Sequence, residues 1–79
     1  MTDAELVFLK SQIDQVVALE TTEGERLLAQ VLFVFDEGDT PDMFYLRVEP
    51  GPDGAYVQQG SAGYSLLLSD VAGVRPPVE

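Results

Sequence analysis

Catalysis near neutral pH draws on a few side-chain types, and this chain contains neither His nor Cys. Imidazole bases, thiol nucleophiles, thiolate or imidazole metal ligands and disulfides are all excluded. Hydroxyls and carboxylates remain. Ser61, Ser65 and Ser69 stand near expected strands or turns, but a serine needs a neighbouring base and no His is available to take its proton. Asp14, Glu20 and Glu25 could in principle pair for hydrolysis. Their expected places, on opposite strand faces and in a turn, give them no cleft in which to converge. The chain is therefore read as a non-enzyme with no cofactor.

Two other groups of residues could bind rather than react. Asp36, Glu37, Asp39 and Asp42 offer hard oxygen ligands of the kind Ca²⁺ or Mg²⁺ accepts, although they lack the spacing of an EF-hand loop. A run of like charges is ordinarily a solvated loop, so the cation site stands behind that plainer reading. Tyr45, Tyr56 and Tyr64, with Met43, are residue types favoured at contact surfaces, and Tyr45 is expected on the outward face of a strand. They point to a peptide groove or a subunit interface, against ordinary packing around a small core.

Charge narrows the partners. Fourteen acids against four Lys and Arg leave a net charge of −10 on 79 residues, a field that disfavours nucleic acid and anionic membrane. No basic segment precedes the apolar group Leu6 to Leu9, and the longest apolar run, Val31 to Phe35, is five residues, against roughly 20 for a bilayer span. A soluble, cytoplasmic chain is expected. Its length leaves room for one core, so residues 1–79 are taken as a single domain.

The elements that must position these residues follow from periodicity. Thr2-Asp3-Ala4-Glu5 has the spacing of a capping box, and Leu6, Leu9 and Ile13 recur on one helical face, which predicts a helix over about residues 3–12. From Val16 the period becomes two, with Val17, Leu19 and Thr21 on one side, and Gly24 supplies the turn that follows. Arg26 to Asp36 matches both helix and strand periods. Its density of β-branched and aromatic residues favours a long bent strand, with helix as the alternative. Asp36 to Asp42 is a loop. Met43 to Glu49 alternates, and the reading places Phe44, Leu46 and Val48 inward and Tyr45, Arg47 and Glu49 outward. A short edge over 55–59, a strand over 64–69, a tight turn at 70–73 and a last short strand at Val74-Arg75 complete the chain.

A short N-terminal helix followed by short strands joined by hairpin-length turns is a mainly β fold, expected as a small, strongly bent five-stranded antiparallel barrel over about residues 15–76. Val16 to Glu49 together with Ser65 to Val74 resembles the Sm-like and wider SH3-like small barrels. Gly24, Leu27, Ala29, Val31 and Val34 fall at the offsets of the first Sm motif. The resemblance implies such a barrel behind an N-terminal helix. In Sm-like proteins that bind RNA, an Asp and an Asn of the first motif and an Arg-Gly pair of the second do the binding. Here Asp36 lies one residue late, the Met43-Phe44 region takes the Asn position, and Asp70 to Gly73 stands where Arg-Gly would be.

The function expected is thus a non-catalytic protein-interaction module that self-associates. A degenerate Sm-like ring touching single-stranded RNA is the second reading, and a divalent-cation binder the third. Val31 to Phe35 is apolar on both sides, more than one small interior takes in, so Leu32, Val34, Met43 and Tyr45 are the expected interface of a homo-oligomer or of another protein partner.

Overall fold

The computed structural model describes residues 1–77, which leaves the last two residues of the expected 1–79 domain outside it. Helix α1 covers Asp3–Lys10 and opens as the capping box requires: Glu5 N–H donates to Thr2 Oγ1 at 3.1 Å, and Thr2 N–H donates back to the Glu5 carboxylate at 2.8 Å. The helix is shorter than the apolar spacing suggested. Its end at Lys10 leaves Ile13 in the following turn, 40% exposed, rather than on the packed face with Leu6 and Leu9.

Six strands follow among the described residues: β1 Val16–Thr21, β2 Arg26–Phe35, β3 Asp42–Pro50, β4 Tyr56–Gln58, β5 Tyr64–Leu67 and β6 Val71–Arg75. A 3₁₀ turn at Leu68–Asp70 joins the last two. The ambiguous segment is strand, because β2 pairs on both sides, with β1 through Val16–Gln30 and with β3 as far as Phe35–Asp42. Every pairing is antiparallel, and the sheet runs β4-β3-β2-β1-β6, with β5 also on β3. The expectation was five strands in a closed barrel. The observed sheet has six and is not closed, since β4 and β5 take successive stretches of one edge of β3 while β6 pairs only with β1. The hairpin turn after β1 puts Gly24 at φ 89°, a conformation that costs glycine little.

One side of the sheet holds the core. Val17, Leu19, Ala29, Val31, Met43 and Tyr45 are all buried there, with Leu9 of α1 and Leu68, Val71 and Val74 from the end of the chain. The helix is tied to the edge strand as well as packed on it: the Glu5 carboxylate accepts the Val74 N–H at 3.2 Å. Two backbone N–H donors, from Thr2 first and Val74 second, hold the Glu5 carboxyl below its ordinary pKa. No helix among the described residues is long and apolar enough to cross a membrane.

The expected facing of β3 is reversed. Met43 and Tyr45 point inward, opposite Val34 and Val31 of β2, and Phe44 points out at 40% exposure. Val48 is buried, as expected, but outside the core cluster, on the same side as its partner Leu28. Both parities of β3 are apolar, so alternation alone could not choose between them. The choice is made by β2, where Val31 pairs with Tyr45 and Phe33 with Phe44, leaving Leu32 as an extra residue in a bulge.

Candidate functional site

The bulge at Leu32 exchanges the two faces of β2. Before it, Leu27, Ala29 and Val31 face the core; after it, Val34 faces the core and Phe33 and Phe35 face out. Phe44 lies beside Phe33 across the ladder, its ring stacked on that of Phe33 with centroids 5.6 Å apart and planes at 18°. Phe35 meets Phe33 edge to face at 6.4 Å. In the next strand Leu67 pairs with Asp42, itself opposite Phe35, which extends the same face. Phe33, Phe35, Phe44 and Leu67 are 45, 48, 40 and 41% exposed, and Leu32 beside them 38%. Three aromatic rings half in water on one side of a 79-residue chain form a contiguous apolar patch of the kind that marks a contact surface.

Of the four residues expected at an interface, only Leu32 lies on this surface. Met43 and Tyr45 are 0 and 4% exposed and belong to the core, and Val34 packs against it. The expectation followed from the reversed facing of β3; with the facing corrected, Phe44 takes the place of its two neighbours. Phe33 and Phe35 were legible as members of a two-faced segment, but the residue at which the faces exchange depends on the bulge. Tyr45 serves instead as a platform: Tyr64 stacks on it at 5.7 Å, and the Arg47 guanidinium lies 5.3 Å from the Tyr64 ring centre. Arg47 also donates to the Glu25 carboxylate at 3.1 Å, which raises its already high pKa.

The acidic loop residues do not converge. The Asp36 carboxylate accepts from Lys10 Nζ at 2.7 Å, which ties the loop to the end of α1 and holds the Asp36 carboxyl below its ordinary pKa. Asp42 sits in the β3 ladder between Phe35 and Leu67. Among the described residues no three carboxylates are grouped closely enough to hold a metal ion. Of the other acids, Glu20 lies between Arg26 and Arg75, and Glu25 is on Arg47. Ser65 lies in β5 opposite Phe44, and Ser69 in the 3₁₀ turn.

Comparison with protein-family models, curated proteins and solved structures gives no match.

Proposed function

We propose that the protein is a non-catalytic interaction module that self-associates through the outward face of β2, β3 and β5. The observation that carries this reading is the stacked Phe33–Phe44 pair, with Phe35 edge-on to it, on the side of the sheet that α1 leaves open. The scaffold is read as an incomplete small barrel of the Sm-like or SH3-like kind. In support, the motif positions Leu27, Ala29, Val31 and Val34 all lie on the inner face, and the bulge at Leu32 absorbs the longer step between the last two.

Magnitudes set the strength expected. Full burial of a large apolar side chain is worth about 1.5 to 3 kcal/mol, so groups already half covered gain about 1 kcal/mol each. Four such groups from each of two copies offer about 8 kcal/mol, against about 4 to 15 kcal/mol for lost translational and rotational freedom and ordering. The two copies also carry −10 each. Association is therefore weak, driven by the apolar face, and strengthened when salt screens the repulsion. Protein surfaces that bind single strands combine stacking aromatics with a basic track; of the four cations of this chain, Lys10 and Arg47 are held by Asp36 and Glu25, and Arg26 and Arg75 lie about Glu20, at the opposite end of β2 from the aromatic rings.

Multi-angle light scattering at micromolar to millimolar chain concentration, at low and moderate salt, tests the proposal. The expected mass rises above 8.6 kDa with concentration and with salt, and Phe33→Glu with Phe44→Glu returns it to the monomer. A monomer mass throughout would end the self-association reading.

A further inference from the structure

The outward face has a second feature, at the opposite end of β2 from the aromatic rings. Ala18, Leu28 and Val48 form one row across β1, β2 and β3, and Glu20 and Arg26 the next. Gly73, opposite Glu20 in β6, adds no side chain to the row, and a Cβ there would meet the Glu5 carboxylate at 3.2 Å. The result is a groove of about 360 Å³ with Ala18, Leu28, Val48 and Pro50 as an apolar floor. That volume is at the lower end of the roughly 300 to 1,000 Å³ of small-ligand sites.

Its rim holds two of the four cations of the chain, Arg26 and Arg75. Lys10 and Arg47 each sit within 2.7 and 3.1 Å of a carboxylate of their own. Arg26 and Arg75 instead share the single carboxylate of Glu20, each at 3.9 Å, beyond hydrogen-bond reach, with their side chains 78 and 69% exposed. The other acid of the rim, Glu49, accepts from Gln59 Nε2 at 2.8 Å. An apolar floor therefore ends at two guanidiniums whose planar donor forks match a carboxylate and are not taken up by one.

We propose that this groove binds a linear carboxylate with an apolar tail, a fatty acid of medium length. The tail lies on Ala18, Leu28, Val48 and Pro50, and the carboxylate sits between Arg26 and Arg75 in place of Glu20. The tail is required. A chain of net charge −10 repels a bare anion, and that repulsion is screened only beyond about 8 Å at physiological salt, so apolar burial supplies the affinity and the arginines set the orientation. At about 30 Å³ per water-sized unit the groove holds on the order of ten heavy atoms, which suits decanoate. The site is separate from the aromatic face and does not depend on self-association.

Titration of the ¹⁵N-labelled full chain with decanoate below its micelle concentration, followed by two-dimensional NMR, tests the assignment. The expected result is saturable movement of the Ala18, Leu28 and Val48 amides, with octanoate weaker by about tenfold for its two fewer methylenes and acetate without effect. Decanol, which lacks the charge, binds more weakly than decanoate. Arg26→Gln with Arg75→Gln weakens decanoate by about tenfold or more, as loss of charged hydrogen bonds does, with its dispersed spectrum reporting an intact fold. Glu20→Gln, which removes the competing carboxylate, strengthens it. Decanoate that leaves these amides unmoved, decanol that binds as tightly as decanoate, or a double-arginine variant that binds unchanged would each overturn the proposal.

Discussion

The two faces of β2 are made of the same kind of residue and have opposite fates. Inward, Ala29 and Val31 are fully buried, clustered with Leu9 of α1, Met43 of β3 and Val71 and Val74 of β6. Outward, Phe33 and Phe35 are larger and more apolar, yet nearly half of each remains in water. Hydrophobicity alone thus does not decide burial in so short a chain. One helix of eight residues and one 3₁₀ turn can cover a single side of the sheet. The other side is left uncovered, with Phe33, Phe35, Phe44 and Leu67 exposed on it.

Core truncation gives the largest effect that separates the faces. Met43→Ala, at a fully buried position, is expected to cost about 2 to 5 kcal/mol in urea denaturation. Phe44→Ser, one residue along and on the other side, is expected to cost about 1 kcal/mol or less when measured in dilute monomer, because its ring is already half solvated. Equal losses at the two positions would erase the distinction between the faces.

Salt acts on the whole molecule and more gently. Screening the excess of ten negative charges should raise the melting temperature between low and moderate ionic strength. Under the proposed self-association the same change tightens the contact, so the increase should be greater in concentrated than in dilute protein. A melting temperature that falls with salt would mean that local ion pairs such as Lys10–Asp36 and Arg47–Glu25 outweigh the general repulsion.

The smallest expected effect concerns the clasp between α1 and β6. Glu5 has a lowered folded-state pKa, so its contacts stabilise the fold fully above the ordinary carboxylate range, about pH 4 to 4.5. That contribution is lost as pH falls through the lowered folded value. The melting temperatures of the native chain and Glu5→Gln should therefore differ most near neutrality, with the native chain higher, and converge in acid. A difference that stays constant with pH would show that the carboxylate charge plays no part in holding the helix to Val74.

The parts of this fold that rest on local chemistry were legible in the sequence. The capping box at Thr2 and Glu5, the alternation of Val17 and Leu19, and the glycine turn at Gly24 each need only their own neighbours to act. The strand nature of Arg26–Phe35 followed from its β-branched and aromatic density. What escaped was non-local. Met43 and Tyr45 compete with Phe44, Leu46 and Val48 for the inside, and pairing with β2 decides the contest, through a bulge at Leu32 that no residue type announces. That single register choice moved the expected interface from Met43 and Tyr45 to Phe44 and its neighbours. The groove was invisible for a related reason: its floor and rim come from four strands that only the sheet order β3-β2-β1-β6 brings together.

The four phenylalanines offer the most direct test, because three lie on the outward face and the fourth, Phe8, packs against the core from α1. Incorporation of 4-fluorophenylalanine gives each a ¹⁹F resonance that can be followed as the protein is diluted at moderate salt. The resonances of Phe33, Phe35 and Phe44 are expected to move together with concentration, along the same curve as the mass from light scattering, while Phe8 stays fixed. Four resonances unmoved over a range in which the mass changes would place the contact elsewhere on the chain, and contradict the account.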